Sequence, residues 1–166
     1  INESFDYVLY PALIAIGFSF VENVGYIYRY QADSLGYGIT RTMLCTLGHI
    51  SFSIVWGWGF YLASMRASFL EKGYLLVSFY LIASLMHALY NASLSSSIAL
   101  RSVFLSSLES FITVLIVEYI VLQSIIQSQF FREDRLNYNR ALTWIRTGFL
   151  LLMAIHGDLL LELGSL

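Results

Sequence analysis

Three kinds of residue are scarce in this sequence. Cysteine occurs once, at Cys45, proline once, at Pro11, and charged residues make up only 12% of 166 positions. A single cysteine excludes an internal disulfide and any metal centre built from cysteines. A single proline leaves long helices without repeated breaks. A charged share about half of the ~25% usual in soluble domains leaves no basic patch for nucleic acid, so no nucleic-acid partner is expected. The net charge of −2 points to no class of partner. The chain is instead 58% hydrophobic and 16% aromatic, and its apolar residues fall in blocks near the ~20 residues that one bilayer crossing needs.

Five such blocks can be drawn: about Tyr7 to Tyr28, Thr42 to Met65, Gly73 to Leu94, Val103 to Leu122 and Ala141 to Leu161. The links between them are short and polar, and no internal repeat or domain-sized linker interrupts them. In hydrocarbon the backbone must satisfy its own hydrogen bonds, so each block is expected to be helical. The expected fold is all-α, a polytopic transmembrane helical bundle of about five spans, forming one integral membrane domain over residues 1–166. Gly17, Gly25, Gly48, Gly57 and Gly59 are small enough to let helices approach closely. Arg66, Lys72, Arg132, Arg135 and Arg140 flank one side, and Arg29, Arg41 and Arg101 the other. The richer side is expected to be cytoplasmic. The chain opens on Ile1, with no initiator methionine or signal peptide, so an upstream segment is expected.

Against this background, "FSFVENVGYIY" at 18–28 carries an acid and an amide, Glu22 and Asn23, inside an apolar run. An ionisable group in a span costs at least ~2.5–3.5 kcal/mol and is by default a functional candidate. Glu22 lies near the end of span one, His49 near the start of span two and His87 near the end of span three. Successive spans run antiparallel, so all three sit at one depth, ~10 Å below the same face at 1.5 Å per residue. Glu109 and His156 fall near that layer, whereas Glu118 lies nearer the opposite face. His87 and Asn91 are spaced i, i+4 and share a helix face, from which both can donate to a developing oxyanion. Glu22 can hold and transfer a proton, and His49 can orient a water or bind a metal. Ser53 and Gly57 continue the His49 face as a small, polar stripe, suited to facing a cavity or another helix. The bland alternatives differ by residue. A lone intramembrane histidine often serves only as an interhelical hydrogen-bond partner, a reading that stands level with function for His156 and well behind it for His49 and His87. For Glu109 the structural reading leads. Arg29 and Arg41 read first as snorkelling residues, with Arg41 two turns before His49 and able to brace it. Cys45 reads as a small core residue.

These residues resemble the PrsW family of intramembrane proteases, a relative of the CAAX prenyl proteases. The F-x-x-x-E-N-x-x-Y element of that family is matched by Phe18, Glu22, Asn23 and Tyr26. Its arginine, histidine and glycine on the next helix are matched by Arg41, His49 and Gly57, and its H-x-x-x-N by His87 and Asn91. The resemblance spans roughly Asp6 to Asn91, giving a family-like core at 6–94 with additional helices at 103–122 and 141–161. It implies an enzyme of the bacterial cytoplasmic membrane that cleaves a membrane-bound protein substrate within the lipid bilayer. Glu22, His49, His87 and Asn91 would be catalytic, and Asn23 and Arg41 supporting. The family's first motif, two adjacent glutamates followed by a basic residue, has no match in these 166 residues and is expected on an upstream helix.

Two mechanisms are open at this point. In one, a glutamate with His49 activates water and His87 with Asn91 stabilises the oxyanion. In the other, Glu22, His49 and His87 ligate zinc, the candidate cofactor, and leave one position for water. Two rival functions use the same residues. A transporter would relay protons through Glu109, Glu118 and His156 as well, although no proline-broken helix pair or repeated half supports it. An inactive protease relative would bind transmembrane helices as a scaffold.

Overall fold

The computed structural model describes the backbone of residues 3–29, 34–95, 99–129, 139–140, 143–144, 146–148, 150–151 and 154, and side chains at these positions except 34–41, 43–44, 93–107 and 110. Among the described residues there is no strand. Four long helices follow one another: α1 (Asp6–Arg29), α2 (Ser34–Ser64), α3 (Phe69–Ser95) and α4 (Ala99–Gln127). Helices α1, α3 and α4 each contain one apolar block and overrun it, and α2 covers the second block up to Ser64, one residue short of Met65. Helix α2 begins at Ser34 rather than Thr42 and α4 at Ala99 rather than Val103, because the links hold no proline to stop a helix. The expected fifth block, 141–161, is described only at scattered helical positions up to 154.

The start of α1 is set locally. The Asp6 carboxylate accepts from the Glu3 N–H at 3.3 Å, and the Asp6 N–H donates to the Glu3 carbonyl at 3.1 Å. An acid in the first turn also complements the helix dipole. Pro11 lies inside α1. It removes the N–H that would bond the Tyr7 carbonyl one turn back, and the helix continues through it.

Helices α1 and α3 flank α2, and α4 closes on α3 and α2. The α1–α2 pair is antiparallel. Tyr7 meets Tyr61 with ring centroids 5.5 Å apart, while Asn23, at the far end of α1, bonds Thr46 near the start of α2. The α2–α3 pair is antiparallel too, with Trp56 against Tyr80 at 5.8 Å and Phe52 against Tyr90 at 6.0 Å. Two glycines set how closely α2 is gripped. A Cβ on Gly57 would collide with the Tyr7 carbonyl oxygen and the Pro11 ring, and one on Gly59 would collide with Phe79. Two residues apart on a helix is a rotation of roughly 200°, so the two contacts lie on opposite sides of α2.

The buried core is one cluster that draws on all four helices: Val8 of α1, Phe52, Val55 and Trp58 of α2, Ala83 and Tyr90 of α3, and Val117, Val121 and Ile125 of α4. Polar bonds tie the segment before α1 to the end of α4. Ser4 Oγ donates to the Ser124 carbonyl at 2.6 Å, and the Glu3 carboxylate accepts from Ser128 Oγ at 2.8 Å and from the Gln129 N–H at 3.0 Å. Helices α1 and α3 turn large apolar side chains outward, among them Ile14, Phe20, Val21, Leu81 and Leu85. Both are long and apolar enough to cross a bilayer, and only 22% and 11% of their apolar windows are buried, unlike the core helix of a soluble protein. A third apolar stretch, Phe111–Gln127, is shorter.

Candidate functional site

Glu22, His49 and His87 come from three helices and meet. Helix α1 presents Glu22, half-buried, and α2 presents His49, which is 8% exposed. His49 Nε2 lies 2.8 Å from Glu22 Oε2, a hydrogen bond and an ion pair when the imidazole is protonated. Helix α3 brings His87 edge-on to His49, with centroids 4.9 Å apart at 80°. This is the level at which antiparallel counting puts all three. Their relative positions follow from the α1–α2–α3 meander, in which the end of α1, the start of α2 and the end of α3 share one end of the bundle.

Aromatic rings close round the two imidazoles. Phe18, one turn before Glu22, sets its ring edge-on to His49 at 5.1 Å. Phe52, one turn after His49, stacks on His87 at 5.3 Å and 22°. His49 is thus held by a carboxylate, a phenyl ring and a second imidazole, and His87 by Phe52 and His49. Asn23, beside Glu22 in sequence, is 4% exposed and donates through Nδ2 to Thr46 Oγ1 at 3.3 Å. Its Oδ1 and the hydroxyl of Ser19, one turn earlier, are buried without a hydrogen-bond partner among the described residues.

The remaining candidates are dispersed. Asn91 lies one turn beyond His87 and is exposed. Arg41 is in α2, but its side chain is outside those described, and His156 lies outside the described residues altogether. Glu109 accepts from Thr113 Oγ1 at 3.0 Å along α4, a contact within its own helix. Glu118 faces Arg146 at 3.7 Å and so ties α4 to the segment that follows it. Ser53 is half-buried, and Gly57, on the same face, packs on α1 as a glycine of close helix approach. Thr46 and Phe52 were not singled out from the sequence. Thr46 stands one turn before His49 and Phe52 one turn after it, a signal that only a known phase for α2 would have made legible.

Two imidazoles and a carboxylate are a donor set that suits zinc. The geometry does not fit it. The His49 nitrogen nearest the carboxylate is directed at Glu22 itself, His87 approaches His49 ring edge to ring face, and among the described residues no three His, Cys, Asp or Glu side chains are grouped to hold an ion. What the arrangement offers as it stands is an acid–base pair: a carboxylate oriented by an imidazole, in a largely apolar setting that strengthens the bond between them.

The family model described as PrsW family intramembrane metalloprotease matches residues 1–123. The chain is also similar to "Protease PrsW" of Geobacillus kaustophilus (strain HTA426), with 27% identity over 90 residues, 54% of this chain and 38% of that protein. The matched region thus spans well under half the length of this curated relative. No solved structure matches the chain.

Proposed function

This chain belongs to the PrsW family of integral membrane proteins, and from that premise we propose that it serves in the hydrolysis of a peptide bond in a membrane-bound protein substrate. The observation that carries the reading is the 2.8 Å bond between Glu22 and His49. With its Nε2–H donating to Glu22, His49 orients the carboxylate, which accepts a proton from water. The hydroxide so formed attacks the scissile carbonyl carbon. His87 and Asn91, on one face of α3, donate to the oxygen of the tetrahedral intermediate. Glu22 then returns the proton to the departing amine, and the C–N bond breaks. General acid–base catalysis of this kind contributes about 10²–10⁴-fold, and oxyanion donors a further 10²–10³-fold.

In this reading residues 1–166 form one integral membrane domain of about five crossings, set in the cytoplasmic membrane of a bacterium. The α1–α3 core carries the chemistry, and α4 buttresses it. The family's description includes a metal, and the donor types of Glu22, His49 and His87 are those that would hold zinc. As arranged, they act without one in the steps above.

The test is reconstitution of the full-length protein in liposomes with a panel of tagged single-span membrane proteins, and sequencing of the new termini by mass spectrometry. Wild-type protein is expected to produce fragments cut in or near the span, and Glu22→Gln to leave the panel intact. Identical fragments from the two would sink the proposal.

A further inference from the structure

We propose that Thr46 is a positioning residue for the Glu22–His49 pair, acting through Asn23. The inference rests on the catalytic reading of that pair, and no sequence motif pointed to Thr46.

Two of the described side-chain hydrogen bonds between helices α1 and α2 lie at this end of the bundle and act as rungs. One is Glu22–His49 at 2.8 Å and the other is Asn23–Thr46 at 3.3 Å. Glu22 and Asn23 are consecutive on α1, and Thr46 and His49 are one turn apart on α2. Consecutive residues point about 100° apart around a helix, and residues three apart lie on neighbouring faces about 4.5 Å apart along the axis. The two rungs therefore differ in both direction and height. A single rung leaves α1 able to roll about its axis or slide along α2 while keeping its one bond. A second rung in a different direction removes both freedoms.

Such a constraint is needed here because lipid supplies little of it. On a helix surrounded by hydrocarbon and apolar neighbours, rotation exchanges one apolar contact for another, and directional polar bonds decide the phase. The outer face of α1 beside the site is apolar: Phe20, Val21 and Val24 are all exposed. Nothing in that face resists a roll that would carry Glu22 away from His49. The Asn23–Thr46 rung resists it, and at the right level. Asn23 is buried in the α1–α2 seam, where a carboxamide without a partner is penalised. Because its Oδ1 has no hydrogen-bond partner among the described residues, the bond to Thr46 is the one polar contact described for that side chain, and its loss would leave the amide with nothing to hold it in the seam. Either orientation of the amide keeps the rung, since a hydroxyl can accept from Nδ2 or donate to Oδ1.

The threonine is specific to this task. A hydroxyl on a helical residue usually bonds back to its own helix, as Ser51 Oγ does to the Leu47 carbonyl at 2.9 Å. Thr46 instead receives a bond from the neighbouring helix, one turn from the residue whose partner must be held.

The experiment follows ¹⁵N-histidine-labelled full-length protein in detergent at one fixed pH. The chain has three histidines, and His49→Gln assigns the relevant signal. Glu22→Gln gives the spectrum of a broken pair. Thr46→Val, which keeps the shape and removes the hydroxyl, is expected to move the His49 Nε2 resonance at least half of the way to the Glu22→Gln position, and Thr46→Ser to leave it at the wild-type value. In the cleavage assay Thr46→Val is expected to lower kcat about tenfold with KM within about twofold, and Asn23→Ala combined with it to be no worse than Thr46→Val alone. Should Thr46→Val not fold, Thr46→Ala reads the same signal. A His49 resonance unmoved by loss of the hydroxyl, or moved equally by Thr46→Ser, overturns the proposal. A resonance that moves as expected in a protein that cuts no substrate upholds the positioning role and overturns the proteolytic reading instead.

Discussion

His49 and Glu22 stand 27 residues apart in sequence and 2.8 Å apart in space, joined across the α1–α2 seam, where burial makes an isolated charge costly. The pair explains how an acid is accommodated in an apolar helix. Its carboxylate is bonded to an imidazole that is itself enclosed by Phe18 and His87.

Removing either member should stop the chemistry and spare the fold. Glu22→Gln and His49→Asn are each expected to lower the rate of substrate cleavage by at least about 100-fold, with helical content by circular dichroism equal to wild type. Turnover within a few-fold of wild type in both variants would show that the pair is only a packing bond.

His87 separates packing from chemistry. Its ring stacks on Phe52 and meets His49 edge-on. His87→Phe retains the ring and loses both nitrogens, so thermal stability should change by less than about 1.5 kcal/mol while cleavage falls by about 10²-fold. His87→Ala should lose both, with destabilisation of about 2 kcal/mol from the space left beside Phe52. A fully active His87→Phe would remove His87 from the oxyanion role.

Metal content discriminates between the two mechanisms that the sequence left open. The geometry predicts turnover that persists after dialysis against a strong chelator, with less than one zinc per chain by elemental analysis. Stoichiometric zinc that leaves together with activity, and restores it when added back, would make Glu22, His49 and His87 ligands.

Glycine substitutions should sort by position. Gly57→Ala drives a methyl group into the Tyr7 carbonyl and the Pro11 ring and is expected to cost about 1–3 kcal/mol, the range for overpacking. Gly17 has open space around its Cβ position, so Gly17→Ala should be neutral or stabilising by up to about 1 kcal/mol through helix propensity. Thermal unfolding in detergent measures both, and equal effects would show that α1 and α2 are not in close contact at Gly57.

The common level of Glu22, His49 and His87 could be read from the sequence because it needs only span order and rise per residue. Counting from a shared face gave Glu22, His49 and His87 one level, and they meet there. The rotation of each helix was not legible in the same way. Where lipid and core are both apolar, hydrophobicity carries no contrast between inside and outside. Thr46 and Phe52 therefore went unmarked, whereas Gly57, marked as a site of close helix approach, does pack against α1. The Glu118–Arg146 contact was hidden for the same reason, since it depends on which sides α4 and the following segment turn to one another. The helix ends shifted because polar links without proline read as loops yet propagate the helix, as at Ser34.

Pro11 strips the Tyr7 carbonyl of its helical donor, and Gly57 brings α2 against that same oxygen. This makes a fulcrum. Glu22 rides about 16 Å further along α1 at 1.5 Å per residue, so a tilt of about 10° about Pro11 would swing the carboxylate by about 3 Å, the whole length of its bond to His49. The Asn23–Thr46 contact is the catch on that lever.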